Sequence, residues 1–239
     1  MDCGLVDAGA AAGGRGCSGR PVLAFDGEGV RILLVPGLIS ARHSCVVDDD
    51  SVEGFAMTTV ETSLGTVQGT ERRGSHIFLG IRYAQPPVGE LRFRPPEPVQ
   101  RWPAVYDATQ FGASAPQPPP AADGPLGGQA EPTDEDCLFL NVFTPGPDGA
   151  KCPVLFWIHG GGYVSGSGRS YNGSIFTREH DVVVVSINYR MGPLGFMHVG
   201  HLEDGLDESV NTGILDQICA LEWTRDNIAS FGGDPDNVL

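Results

Sequence analysis

Positive charge is what this sequence has least of. Its 239 residues hold 15 Lys and Arg against 30 Asp and Glu, a formal net charge of −15, and Lys151 is the single lysine. Little here would neutralise phosphates, which argues against a nucleic-acid binder and equally against docking on anionic lipid. No apolar run reaches the roughly 18 residues that a membrane span needs. A signal-peptide layout is also missing, since Asp2 and Asp7 stand where a basic start belongs and no unbroken apolar stretch follows. Cysteine is sparse: Cys3, Cys17, Cys45, Cys137, Cys152 and Cys219 are too few for a disulfide-stapled mini-domain. No two have C-x-x-C spacing, which argues against zinc or a thioredoxin-like redox site. The expectation is an acidic, soluble, cytoplasmic chain with reduced thiols.

What is present divides unevenly. Residues 1–56 are rich in Gly and Ala and carry the acidic run Asp48, Asp49, Asp50. They read as a disordered arm or as a mis-assigned extension, with Met57 as the true start. Fourteen arginines to one lysine, with abundant Gly, Ala and Pro, fit a GC-rich genome in which spurious upstream extensions open easily. Most of the acidic excess falls after Met57. Residues 58–60, 66–68 and 77–81 alternate or run apolar between glycines, as short strands do. Residues 84–103 are proline-dense and therefore extended, and residues 112–133 form a long surface loop. Residues 137–143 read as a strand. Residues 154–158 (VLFWI) and 182–187 (VVVVSI) are continuous apolar runs, which predicts strands buried on both faces in a parallel sheet. Residues 213–231 form the clearest helix, with Ile214, Ile218, Leu221, Arg225 and Ile228 on or beside one stripe. Asn211 or Thr212 would cap it and Gly232–Gly233 would stop it. Strands alternating with helical connections imply an α/β fold.

The most informative stretch is VLFWIHGGGY, residues 154–163. A buried-type strand ends in His159 and three glycines. Without Cβ atoms, successive backbone N–H groups there can turn into a cavity and let a substrate approach. Such donors stabilise the oxyanion formed in ester hydrolysis, each contributing about 3 kcal/mol to lowering the barrier. The plain alternative is a glycine turn after a strand.

The surrounding sequence carries a resemblance. EDCLFLNVFTP (135–145) is similar to a signature of the type-B carboxylesterases. Four further blocks follow the family order: FLGIRYAQPPVG (78–89), LRFRP (91–95), SINYRMGPLGF (186–196), and GILDQ (213–217) through Trp223 to FGGDP (231–235). The resemblance spans residues 58–239 and implies an α/β-hydrolase fold, a small-molecule carboxylic ester as substrate, and no metal or organic cofactor. It also implies that the backbone N–H groups of Gly161 and Gly162 are oxyanion donors, a third donor following the nucleophile. Two buried ion pairs, Arg92 with Glu135 and Arg190 with Asp216, are expected to hold loops and strand ends in register. One departure stands out. Where secreted members place a Cys that pairs with the Cys of the Glu-Asp-Cys block, this sequence has Ala115, so Cys137 lacks that partner.

The mechanism the resemblance implies also needs a Ser on a Gly-x-Ser-x-Gly elbow, then an acid and a His. No serine here satisfies that pattern. Ser114 comes closest, in GASAP (112–116), and Ser167 and Ser170 fail the spacing. His76, His159, His180, His198 and His201 read as structural or surface residues. The expectation is therefore the front part of an α/β-hydrolase, incomplete and inactive as given. The strand 154–158 would lack a neighbour, and such an apolar edge aggregates. Two other readings remain open: a non-catalytic cholinesterase-like binding protein, and a lipase-branch esterase sharing only the glycine loop. Oligomeric state cannot be read from the sequence. A Gly-x-Ser-x-Gly encoded within about ten codons after Leu239, at the elbow position, would select the esterase reading.

Overall fold

The computed structural model describes residues 56–119 and 131–239, and the backbone of a short antiparallel hairpin, β1 (Leu23–Asp26) with β2 (Gly29–Ile32). Apart from that hairpin and Ala56, which opens the first strand of the main sheet, the reading of residues 1–56 as an extension lies outside the described residues. So does the middle of the 112–133 loop.

The alternating segment forms three antiparallel strands: β3 (Ala56–Thr62), β4 (Gly65–Arg72) and β5 (Ser75–Arg82). Arg73 and Gly74 join β4 to β5, both with positive φ. That is the combination a two-residue hairpin matching the strand twist requires. A short strand, β6 (Tyr106–Asp107), lies parallel to β4. Then follow β7 (Phe139–Thr144), β8 (Cys152–Ile158), helix α1 (Ser174–His180), β9 (Val183–Ile187), and helices α2 (Gly192–Phe196) and α3 (Thr212–Asn227). Strand β10 (Gly233–Val238) closes the order. Among the described residues the sheet runs β10-β8-β9-β7-β5-β4-β3. Strands β10, β8 and β9 are mutually parallel, and the others on this path pair antiparallel. The β8–β9 connection through α1 and the β9–β10 connection through α3 run in opposite directions across the sheet. Right-handed crossovers therefore put α1 and α3 on opposite faces.

The buried centre is β9, whose five residues are all enclosed, with Leu140, Val142 and Val154 beside it. Three expectations change here. First, β8 is buried on both faces only in part: Val154 and Phe156 are enclosed, while Trp157 and Ile158 are 38% and 40% exposed. Helix α1 packs chiefly on β5, β7 and β9. The face carrying Leu155 and Trp157 is left open as a result. Second, β8 is not an edge, because β10 pairs with it; Phe156 N–H donates to the Leu239 carbonyl at 2.8 Å. Third, most of the aliphatic stripe read for 213–231 points outward; Ile228, in the turn that follows α3, is fully buried as expected. Ile214, Ile218 and Leu221 are 36%, 47% and 39% exposed, whereas Gly213, Asp216, Ala220, Trp223 and Asn227 face in. A Cβ at Gly213 would meet the Arg190 carbonyl and the Phe196 ring. Close approach and charge, not hydrophobicity, choose this face.

The helix also ends earlier than expected. A 3-10 turn, Ile228–Phe231, follows it and stops at Gly232 in the left-handed region. Asn211 makes no side-chain cap, because another 3-10 turn, Asp207–Asn211, runs straight into the helix.

Candidate active site

His159 and the three glycines leave the carboxyl end of β8, next to the residues that leave β9. In open α/β sheets this end is where ligands are handled. A cavity of about 310 Å³, bordered by Glu71, His76, Pro145, Asp148 and Asp181, lies at the opposite end of β8, beside Cys152. It takes no part in the glycine loop.

The loop is held from beneath by His159. The ring is buried and stacks on Tyr189 with centroids 4.5 Å apart, and the Tyr189 hydroxyl donates to the His159 carbonyl at 2.9 Å. Nδ1 lies 3.0 Å from the Gly160 carbonyl oxygen, which can only accept, so the proton sits on Nδ1. Burial lowers the pKa of this ring from the ordinary 6.5, opposed in part by the bond to Gly160. A neutral ring follows at neutral pH.

Gly161 and Gly162 have φ of +126° and +62°, values that L side chains rarely adopt. At Gly161 a Cβ would collide with the Ser165 carbonyl, while at Gly162 the space is open. The Gly161 carbonyl accepts from Val164 and Ser165 N–H, both at 3.2 Å, and closes the turn. Among the described residues no acceptor takes the N–H of Gly161 or Gly162, and both residues are exposed. Two backbone donors thus stand free at the carboxyl end of a buried sheet, which suits recognition of a negatively charged oxygen.

The two expected ion pairs form, in different surroundings. Arg190 and Asp216 are 2% and 0% exposed. Arg190 Nε and Nη2 donate to the carboxylate at 2.8 and 2.6 Å, and the Arg190 backbone N–H donates at 3.0 Å. Burial pushes the Asp216 carboxyl up, and these Arg190 bonds oppose the rise. Arg190 Nη1 also reaches the Arg94 carbonyl, so the pair ties α3 and the end of β9 to the 91–95 loop. Arg92 meets Glu135 at 2.6 and 2.9 Å, but the two side chains are 43% and 31% exposed. The expectation of burial fails for this pair because it bridges two surface loops. A third pair, Arg82 with Asp136, is more enclosed; Arg82 also lies over the Phe139 ring. No motif singled it out.

Ser114 is buried, with Oγ 3.0 Å from both Glu131 Oε2 and Ser167 Oγ. Among the described residues no histidine bonds to a serine hydroxyl. Ala115 is enclosed and Cys137 fully buried with a free thiol. Cys219 is free as well, whereas Cys152 is disulfide-bonded, so reduced thiols hold at two of the three described cysteines. Burial pushes the Cys219 thiol up to about 11.

A mixed sheet with helices on both faces and a glycine loop beyond its central parallel strands defines an α/β-hydrolase fold, present here in part. The family model described as the carboxylesterase family matches residues 56–239, and the chain belongs to that family. It is 45% identical over 182 residues to the para-nitrobenzyl esterase of Bacillus subtilis, covering 75% of this chain and 36% of that protein. To the phenmedipham hydrolase of Pseudarthrobacter oxydans it is 46% identical over 181 residues, covering 74% of this chain and 35% of that protein. The crystal structure of a Geobacillus stearothermophilus carboxylesterase matches with a TM-score of 0.69 at 47% identity, over 76% of this chain and 36% of that one. The chain thus spans about a third of the length of the curated relatives it matches.

Proposed function

We propose that these residues form the oxyanion-binding front part of a serine carboxylic-ester hydrolase acting on a small-molecule ester. The observation that carries this reading is the pair of free N–H groups of the exposed Gly161 and Gly162, on a turn with no room for a side chain at Gly161. In such an enzyme the two donors would take up the negative charge that develops on the ester oxygen, which lowers the barrier without any proton transfer. The neutral His159 is consistent with a supporting role: its Nδ1–H is committed to the loop, and its one basic nitrogen, Nε2, is buried with no polar partner among the described residues. The 239 residues contain no Gly-x-Ser-x-Gly and no described Ser–His pair, so the chain on its own does not turn over ester. A cytoplasmic placement is part of the proposal, supported by Ala115 in place of a Cys and by the free thiol of Cys137.

Hydrolysis of p-nitrophenyl butyrate tests both halves of this reading. The purified 239-residue chain shows no rate above that of its Gly161→Ala/Gly162→Ala variant. The same chain continued by the part of the Bacillus subtilis esterase that it does not cover hydrolyses the ester, and loses activity with that double substitution. Turnover by the 239 residues alone would overturn the proposed inactivity. An extended chain indifferent to the double substitution would overturn the oxyanion assignment.

A further inference from the structure

The glycine turn has free donors on its outer side, so its rigidity must come from behind. Gly166 is the hinge of that support. Its φ is +120°, and its α-carbon sits so close to the Gly160 carbonyl and the His159 ring that a Cβ would strike both. Any movement of Gly166 is therefore transmitted to Gly160 and His159. What fixes Gly166 is a side chain from the 112–133 loop. Gln117 Nε2 donates to the Gly166 carbonyl at 3.0 Å, and Gly166 N–H donates to Gln117 Oε1 at 2.9 Å. Its Nε2 also donates to Ala115 at 3.2 Å, so both amide hydrogens and the oxygen are engaged. The planar amide thus engages the N–H and the C=O of one residue, which belong to successive peptide units, and so sets both the position and the tilt of Gly166. One residue on, Ser167 is held by Ser114 at 3.0 Å, and Ser114 by Glu131 at 3.0 Å.

We propose that Gln117 is a positioning residue for the oxyanion turn, clamping Gly166 so that Gly160, Gly161 and Gly162 keep one conformation, with Ser114, Ser167 and Glu131 as its brace. This rests on the oxyanion reading for its catalytic meaning, but the clamp itself is measurable without catalysis. Preorganised donors are effective because no reorganisation is needed when charge develops.

The test is made on the full 239-residue chain labelled with ¹⁵N-glycine. Gln117→Met keeps the bulk and removes the clamp. The Gly166 amide then exchanges with solvent at least about tenfold faster. Order parameters at Gly160, Gly161 and Gly162 fall from about 0.85 towards 0.6 or below, while Gly195 and Gly213 are unchanged and the chain still unfolds in one cooperative transition, its urea midpoint lowered only by the lost hydrogen bonds. Gln117→Glu supplies the second measurement. Its carboxylate still accepts from Gly166 N–H but repels the Gly166 carbonyl, and protonation restores a donor there. Order at Gly160–Gly162 is therefore low at pH 7 and recovers at pH 4, compared at each pH with the unsubstituted chain so that titration of His159 and Glu131 cancels. Unchanged order at Gly160–Gly162 in either folded variant overturns the proposal, whatever the ester assay reads. In the extended chain, Gln117→Met lowers kcat about tenfold at constant KM. An active extended chain whose kcat ignores this substitution equally overturns it. Loss of ester turnover in the unsubstituted extended chain bears on the proposed function instead.

Discussion

At Gly161 and Gly162 the same substitution has different costs, because one position lacks space and the other lacks only a suitable φ. Gly162→Ala meets no atom within 4 Å and carries only left-handed backbone strain, about 1–2 kcal/mol. Gly161→Ala adds a collision with the Ser165 backbone, and its urea midpoint falls further. His159 makes a pH prediction of definite sign. Its folded-state pKa lies below the ordinary 6.5, so as pH falls through 6.5 the unfolded chain takes up a proton that the folded chain refuses. Stability present above pH 6.5 is lost over that interval and levels off once the folded ring also protonates. Urea midpoints between pH 7.5 and 5 measure this, and His159→Gln removes that part of the slope. The buried Cys137 and half-buried Cys219, whose thiols burial pushes up, predict inertness: both resist alkylation at pH 8 in the native chain and react faster on unfolding.

Between elements, burial decides which ion pair matters. Arg190→Met leaves Asp216 as an uncompensated buried carboxylate and removes the tie from α3 to the 91–95 loop. The expected destabilisation is about 3–5 kcal/mol by chemical denaturation. Arg92→Ala leaves the unfolding midpoint unchanged, because the Arg92–Glu135 pair is solvated. Both pairs were legible in sequence as partners, since each residue sits in a recognisable block. Their difference in burial was not, because exposure depends on what packs above them. Helix α3 makes the same point. Ile214, Ile218 and Leu221 are the residues a periodicity reading assigns to the core, yet they lie outside, and Asp216 lies inside because Arg190 needs it. Replacing the three aliphatic residues by Gln therefore leaves stability nearly unchanged. Trp223→Ala, on the enclosed face, costs about 3–5 kcal/mol.

For the molecule as a whole, the described residues leave apolar surface open on both sides of the sheet: Trp157, Ile175 and Phe176 on the α1 side, Ile214, Ile218 and Leu221 on the α3 side. Contiguous exposed apolar surface favours association. The 239-residue chain is expected to bind a hydrophobic dye such as ANS and to self-associate, and the Gln-substituted α3 variant to do so less, as light scattering would show.

The sequence by itself determined the local devices. Glycines mark the turn after β8 and apolar runs mark β8 and β9, each through residue type and short spacing; the pairing of Arg190 with Asp216, 26 residues apart, was expected only from the family resemblance of their blocks. Tertiary structure decided what distance along the chain conceals. Gln117 reaches Gly166 across 49 residues, and no period or spacing signals that contact. Strand β10 covers β8, which reverses the expectation of an open β8 edge. The outward stripe of α3 is likewise set by packing, because a helix face is chosen by whatever it must meet, and here it meets a buried arginine.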